Sequence, residues 1–580
     1  MSEKPGFSIR AAIIAVFLSI FLLASSTYIA IQLGALPWPI IFSVIVSGGL
    51  LKAFQRKGGV DVNEINVAQA GSSIGGLVAA GLAFTIPGIL YLNQEKGMDI
   101  PWPNPWLLAL LTAAAGVLGI LLSMPLKRTF IDEEELPYPA GTAGAELLRL
   151  GKTGGSRLSL IVCVGAAAAI FALLRGNYFA AGFTFTSLAA IGIYLTLVPL
   201  PLAIGSGYIL GPRAGLSWFA GAIIGWILLM PYLTSIEMPF ENARALTQNL
   251  GMGIVLGSGI GFFAGYVVPR FKTIFSNIFD SRSGFMRLLP LILIISLGSL
   301  WLLGVPWVAS ILTVAGVWIM VAVAARMTGE TNINPLEQFG IFIGLVIALL
   351  YQLGNSEIGV YASFMIVTFV SVACAIAGDA GHDYKSAKII GTRFKDIIKV
   401  DLIAVLAASI AAPFIFETIR LGSADLLFTP ALPAPQAQLV ASSIFGFEYP
   451  IAFMIGFFIA FIAEIINIFL PENLRGKVMV MPAGIGLFLG LGLAIPIALG
   501  ALIRMYIDNH HAKHYLAGLL IAAGIMGGEG IAGFGNGALT VLLSRLNIPA
   551  DYGLWGLMTV FIVTMLLGLV LYRRTAMMDD

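Results

Sequence analysis

The sequence predicts an all-α polytopic membrane protein of about 16 transmembrane helices. They form two repeat-related halves, residues 1–270 and 271–580, with broken or re-entrant segments. Three observations predict this. The 580 residues are 58% hydrophobic and only 11% charged, with a mean hydropathy of +0.95, against roughly a quarter charged in a soluble domain. Many windows reach the roughly 20 apolar residues that a spanning helix needs. The first half, slid along the second, matches it at several unusual positions.

In chain order the apolar windows are 11–33, 36–54, 67–92, 106–124, 157–174, 184–202, 212–232, 251–268, 287–304, 307–325, 336–353, 359–377, 401–417, 451–470, 480–502, 515–540 and 553–572. Segment 11–33 is too long for a signal-peptide core and lacks a small-residue cleavage site, so it is expected to be retained. A shorter segment, Tyr138 to Leu150, has basic residues at both ends (Lys127 and Arg128 before it, Arg149, Lys152 and Arg157 after it). It reads as re-entrant or as a short tilted span. Lys4 and Arg10 before the first span and Arg573 and Arg574 after the last place both termini in the cytoplasm, by the positive-inside rule. Lys52, Arg56 and Lys57 then fall inside, and loop 93–105 outside. The expected location is the cell (inner) membrane.

The duplication rests on three landmarks. Pro37-Trp38 and Pro306-Trp307 each open a span. Ile65-Asn66 follows the first Pro by 28 residues, and Ile333-Asn334 follows the second by 27. Gln69-Ala70-Gly71 and Gln338-Phe339-Gly340 then continue each copy. The charge-derived sidedness is the same in both, so the expectation is a parallel repeat with the substrate site between the halves.

The stretch from Thr328 to Gly340 (Thr-Gly-Glu-Thr-Asn-Ile-Asn-Pro-Leu-Glu-Gln-Phe-Gly) puts polar and acidic residues between two apolar segments. Such backbone is tolerated at membrane depth only where protein covers it or a wet cavity meets it. Pro335 and Gly340 bracket Glu337, which predicts a broken helix carrying Asn332, Asn334, Glu337 and Gln338. The plainer reading is a cytoplasmic loop whose Asn332 or Asn334 caps an ordinary helix. Asn332, Asn334, Gln338 and its repeat counterpart Gln69 are the candidate substrate contacts. Glu337, where the first copy has Ala68, leads as the proton-coupling candidate, because loss of water favours the neutral form of a carboxylate.

Further ionisable groups lie in or beside apolar segments: Asp379 and His382 in a cluster with Asp383, Tyr384 and Lys385, Glu464, Glu529 within Gly524 to Gly530, and Glu146. Asp379, His382 and Glu529 join the coupling candidates; a solvated helix start or a helix cap is the plainer reading. His510, His511 and His514 form a loop cluster that reads as solvated rather than metal-binding. Cys163 and Cys374 both lie in apolar segments and imply no disulfide. No metal, cofactor or nucleic-acid motif stands out, and no set of residues suits an intramembrane hydrolase or protease, so the chain does not read as an enzyme. A passive channel would be the other non-enzymatic reading.

Several runs in order along the chain resemble the oligopeptide transporter family, which spans peptide carriers and yellow-stripe-like carriers of metal chelates. They are Asn66 to Pro87, ending Phe84-Thr85-Ile86-Pro87; Leu136-Pro-Tyr-Pro-Ala-Gly-Thr-Ala143; Gly207-Tyr-Ile-Leu-Gly-Pro-Arg213; Gly329-Glu-Thr-Asn-Ile-Asn334; and Pro482-Ala-Gly-Ile-Gly486. Short tails and loops are similar to prokaryotic members. The resemblance implies proton-coupled import of oligopeptides or peptide-like molecules, with a metal chelate or siderophore as the alternative cargo. It adds Tyr138 and Thr142, in the second run, to the candidate substrate contacts. Expected partners are a short peptide or other small molecule, protons and membrane lipid, with homo-oligomerisation left open. Two departures stand out: Gly75-Gly76-Leu77 and Ala140 occupy places where members often carry Glu.

Overall fold

The computed structural model describes all residues except 1–2, 37–39, 54–59, 150–155, 179–181, 190, 271–283, 430, 472–476, 478, 549 and 580. Pro37-Trp38, Arg56, Lys57, Lys152 and the boundary at 271 therefore lie outside the described residues, as do the side chains of Arg573 and Arg574. The helices, in order, are α1 (Ile9–Leu33), α2 (Ile40–Ala53), α3 (Val62–Ala83), α4 (Pro87–Glu95), α5 (Pro105–Ser123), α6 (Pro139–Arg149) and α7 (Ser156–Tyr178). There follow α8 (Pro201–Ile223), α9 (Phe240–Phe262), α10 (Leu289–Leu302), α11 (Trp307–Thr331), α12 (Leu336–Leu353), α13 (Val360–Ile390) and α14 (Phe394–Gly422). The last are α15 (Pro435–Phe445), α16 (Pro450–Phe469), α17 (Val480–Leu489), α18 (Leu491–His510), α19 (Tyr515–Leu546) and α20 (Ala550–Asp579). Among the described residues 14 helices are long and apolar enough to cross a membrane, with shorter apolar helices at Phe42–Ala53, Val480–Leu489 and Leu554–Val570. The chain is an all-α integral membrane protein.

Local chemistry sets the ends of these helices. Ser8 and Asp61 accept from the backbone N–H groups of Ala11 and Asn63 to cap α1 and α3, and Gly34 and Gly391 close α1 and α13 in the left-handed region. The helix α13 runs through the centre, buried over most of its length and packed against α3, α5, α11 and α12. At the periphery, Ile451, Ile455, Phe458, Ile462 and Ile466 of α16 are exposed, as a lipid-facing stripe would be.

Several expected spans take a different form. Segment 184–202 does not span: Phe183–Thr184 (β1) and Thr196–Leu197 (β2) pair antiparallel around the short helical turn Thr186–Ala189. Gly182 and Gly192 hold positive φ there, and Pro199 and Pro201 deny backbone donors. Segment 67–92 is two helices, α3 and α4, joined through Phe84 to Ile86. Segment 480–502 is also two, α17 and α18, broken at Gly490. The short segment after Tyr138 is α6, an 11-residue helix, whose length of about 16 Å is too small to cross the bilayer.

Helices from both ends of the chain interleave, α7 packing on α19 and α20, and α1 on α14 and α19. The clearest repeat relates α7, α8 and α9 to α16, α17 with α18, and α19. Gly207 of α8 lies against the carbonyl of Ile497, and Gly486 lies against the carbonyl of Trp218. Gly221 lies against Ala483, and Gly500 against Ile204. Each residue and its equivalent are the same 279 positions apart (207 and 486, 218 and 497, 221 and 500). At these four contacts numbers rise along α8 as they fall along its partner, whereas Gly215 meets Ala501 and Gly490 meets Trp226, so the two broken helices pair antiparallel locally and cross at their breaks. This inverted pairing is separate from the spacing of 268 to 269 residues between the Gln69 and Gln338 landmarks, whose helices α3 and α12 both run antiparallel to α13 (Gln69 on Asp383 and Gly81 on Val372; Gly340 on Ser371 and Gly344 on Val367) and so run parallel to each other. Close backbone approach through small residues is how such helices associate in a membrane. The same mode recurs where Gly253 and Gly257 of α9 meet the carbonyls of Phe453 and Phe457, and where Gly528 of α19 meets that of Gly165.

Candidate substrate site

Two of the helix interruptions, between α11 and α12 and inside α8, meet one cavity of about 700 Å³. The break between α11 and α12 contributes Asn332, Ile333, Asn334 and Glu337. The break inside α8 contributes Arg213, the entry to α17 contributes Met479 to Pro482, and α6 contributes Pro139, Ala140 and Ala143. Asn332 ends α11 in the left-handed conformation, φ 61°, which asparagine tolerates better than most side chains. Pro335 then bars continuation of the helix, and α12 restarts at Leu336. In α8 the break falls at Gly211, φ 81° and ψ 175°, directly before Pro212. That conformation is open in practice only to glycine.

The predicted residues separate into two groups. Asn332, Asn334 and Glu337 line the cavity. The Oδ1 of Asn332 accepts from the N–H of Ala140 at 3.2 Å, tying the break to α6. Asn334 donates through Nδ2 to the Cys374 carbonyl at 2.9 Å, while its Oδ1 is buried with no donor. Glu337 is 1% exposed; the Nε2 of Gln338 donates to it at 3.4 Å, and no cation pairs with it among the described residues.

Gln69, Gln338, Tyr138, Thr142, Asp379, His382 and Glu529 do not line the cavity. Gln69 donates to Asp383 at 3.1 Å, joining α3 to α13, and Gln338 packs on Gly259 of α9. The Tyr138 hydroxyl donates to the Ala325 carbonyl at 2.8 Å, and its ring meets that of His382 edge-on at 5.4 Å. Thr142 turns back to the Pro137 carbonyl at 2.7 Å. The Nδ1 of His382 accepts from the N–H of Gly141 at 3.2 Å, so the neutral ring carries its hydrogen on Nε2, 4.0 Å from Asp379. Glu529 lies in the uninterrupted helix α19, paired with Arg175, and accepts from the Leu202 N–H at 2.7 Å. It thereby caps the start of α8 rather than a break in its own helix. The His510 ring stacks on Tyr506 at the exposed end of α18. No group of three or more His, Cys, Asp or Glu among the described residues is placed to hold a metal ion.

Sequence reasoning passed over Arg213, Arg504, Glu330, Asn467 and Gln436, which also line the cavity. Arg504 is held by Asp508 at 2.7 Å and 2.8 Å and lies over the Tyr515 ring. Glu330 is paired with Arg326 at 3.1 Å, and Glu464 accepts from Asn467 at 3.3 Å. Arg213 is exposed to the cavity and makes no hydrogen bond or ion pair with any described residue. Its signal was Gly-Pro at the end of an apolar run, a helix break written in sequence.

A family model described as OPT oligopeptide transporter protein matches residues 7–276 and 282–540. The chain belongs to the oligopeptide transporter family. It is a transporter family, not an enzyme family. A Haemophilus influenzae relative named "Putative oligopeptide transporter" is 22% identical over 588 residues, 87% of this chain and 91% of the relative. An Arabidopsis thaliana relative named "Probable metal-nicotianamine transporter YSL4" is 22% identical over 541 residues, covering 78% and 79%. The two departures from the oligopeptide transporter pattern are structurally distinct. Gly75 lies against the backbone of Ser19 with no room for a Cβ, whereas Ala140 faces the cavity.

Proposed function

We propose that this oligopeptide transporter homologue imports short peptides or peptide-like molecules across the cell membrane, coupled to protons, and that the cavity at the helix breaks is where they bind. One observation carries the reading: Asn334 Oδ1 and the Glu337 carboxylate, both lining the cavity, are acceptors without a cation. A peptide's terminal ammonium offers only donors and suits that pair. A volume of about 700 Å³ is within the range of small-molecule sites. Glu337 is the coupling group, neutralised by a proton or by the substrate's ammonium in turn. Both termini face the cytoplasm on this reading, and the inverted copies exchange roles as the site opens to either side.

The metal-nicotianamine relative motivates one rival cargo, a metal chelate. Uptake of mixed short peptides and metal-loaded chelates into proteoliposomes, acid outside, separates the two. Concentrative accumulation of peptides that collapses with a protonophore is expected. Accumulation of the chelates alone would replace the peptide reading, and accumulation indifferent to the protonophore would remove proton coupling.

A further inference from the structure

Three buried aspartates lie close together away from the cavity lining: Asp379 and Asp383, one turn apart on α13, and Asp401 of α14, within charge-charge range of both. The donors around them are already committed. Gln69 of α3 gives its Nε2 to Asp383 Oδ1 at 3.1 Å. The Ser73 hydroxyl, 3.5 Å from Asp383 Oδ2, donates more closely to the Ala70 carbonyl at 2.7 Å. Tyr384 is engaged with Ser123 of α5 at 2.9 Å. Both carboxylate oxygens of the fully buried Asp401 are left without a donor, as are Asp379 Oδ2 and the Oε1 of Gln69, whose amide bonds Asp383.

No cation among the described residues fills the gap. On α13 itself, Lys385 and Lys388 donate to the carbonyls of Glu135 and Ile131, and Lys395 and Lys399 of α14 are exposed. On the helices packed around them, Arg10 of α1 is paired with Glu64 of α3, and Arg326 of α11 with Glu134 and Glu330. Arg149 of α6 donates to the Ile389 carbonyl, and Glu529 of α19 is held by Arg175. Helix α5 carries no charge, and Glu337 of α12 faces the cavity. The remaining titratable neighbour is His382, its Nε2 4.0 Å from Asp379. No three acids or histidines are placed to hold a metal ion among the described residues. An ionised carboxylate with neither donor nor cation is strongly disfavoured in such a setting. A proton turns one of its acceptor oxygens into a donor and so relieves its neighbours as well.

We propose that Asp379, Asp383 and Asp401 form a proton-binding site, with Asp401 carrying a proton in this conformation. It is a second site beside Glu337; it extends the proton-coupled reading above and is indifferent to the cargo. A hydrogen-bonded line marks the polar route to the surface, from Gln69 through Asn66 (3.4 Å), Thr392 (3.0 Å) and Asn63 (3.0 Å) to the exposed Asp61 (2.9 Å). The position also suits coupling. Gly378, next to Asp379, packs against the side chains of Asn334 and Thr328, and Cys374, one turn earlier, accepts from Asn334 at 2.9 Å. A substrate that moves Asn334 in the cavity therefore acts on the turn of α13 that carries Asp379.

The test is infrared spectroscopy of the purified full chain in detergent and sodium-free buffer near neutral pH, read where protonated carboxyl groups absorb, for wild type, Asp401→Asn, Asp383→Asn and Glu337→Gln. Wild type is expected to show a protonated-carboxyl component that D401N loses and E337Q keeps. Asparagine has the shape of the neutral acid, so D401N should match the wild-type thermal midpoint at about pH 5. The fold accepts the protonated acid, so the wild-type midpoint should fall as the pH rises to about 9, and that of D401N should fall less. A D401N spectrum identical to wild type, or an unchanged pH dependence of its midpoint, overturns the site. Loss of the wild-type component on adding sodium chloride would make it a sodium site and overturn the proton assignment. If D401N does not fold, D383N decides by the same two readings. Neither reading measures transport, so uptake that ignores the proton gradient would overturn the proton-coupled reading while leaving this site standing.

Discussion

Gly211 and Gly490 hold the same backbone conformation, φ 81° and ψ 175° at the first and φ 83° and ψ −174° at the second. They are equivalent positions of the inverted repeat, 279 residues apart, and each ends one segment of a broken helix. Only glycine occupies that region without strain of about 1–3 kcal/mol. The surroundings differ: a Cβ on Gly211 would meet nothing within 4 Å, whereas one on Gly490 would meet the Trp226 indole at 2.7 Å. Gly211→Ala is therefore expected to lose stability through backbone strain alone, and Gly490→Ala to lose more. Thermal unfolding of the two purified variants ranks them. A G211A midpoint equal to wild type would show that the break does not depend on glycine.

Glu529 is a structural acid in this fold. Its carboxylate is fully buried, bound by Arg175 and by the Leu202 N–H. Removing one member of such a pair leaves the other charge uncompensated, at about 3–5 kcal/mol, while replacing both with apolar residues costs far less. Glu529→Gln should lower the thermal midpoint sharply, and the double variant Arg175→Met with Glu529→Met should recover most of the loss. A double variant no more stable than E529Q would mean that the pair is not the source of the effect.

How much of this was legible from sequence depended on whether a residue's neighbours are its own segment or another helix. The break at Asn332 to Pro335 was visible because several polar residues and a proline interrupt one apolar run. Gly490 was not, because the run from 480 to 502 also contains Gly484, Gly486 and Gly492, and only the folded backbone distinguishes the one with positive φ from Gly486 and Gly492, packed against carbonyls, and Gly484, packed against side chains. Gln69 and Tyr138 looked like substrate contacts for a sound reason, since a polar group in an apolar segment needs a partner. Their partners proved to be Asp383 and the Ala325 carbonyl, on helices remote in sequence, and hydrogen bonds between helices satisfy buried polar groups as well as a ligand does. Arg213 was overlooked because an arginine after Gly-Pro reads as an ordinary helix end, and only the fold brings it to the cavity wall.

Glu337→Gln keeps the shape and hydrogen-bonding reach of the side chain while removing its exchangeable charge. If Glu337 couples transport to protons, the variant should lose accumulation driven by an acid exterior yet retain exchange of labelled for unlabelled substrate. Parallel uptake and counterflow assays in proteoliposomes read the two separately. Gradient dependence equal to wild type would remove Glu337 from the coupling role.

The two places where this chain lacks an acid often present in its family should respond in opposite ways to its introduction. Gly75 of α3 abuts the Ser19 backbone of α1, and the contact leaves no volume for a side chain, so overpacking of at least about 1–3 kcal/mol is expected. A carboxylate trapped there would add the cost of burying an unpaired charge. Gly75→Glu should therefore fail to yield a monodisperse protein. Ala140 opens onto the cavity and already donates its N–H to Asn332, so Ala140→Glu has room to project among substrate groups. That variant should fold with a near-normal thermal midpoint and shift binding toward substrates of higher positive charge, measured with peptides that differ by one lysine. If A140E misfolds as G75E does, the cavity wall at α6 is closer packed than its lining implies; if G75E folds normally, α1 and α3 can separate without cost.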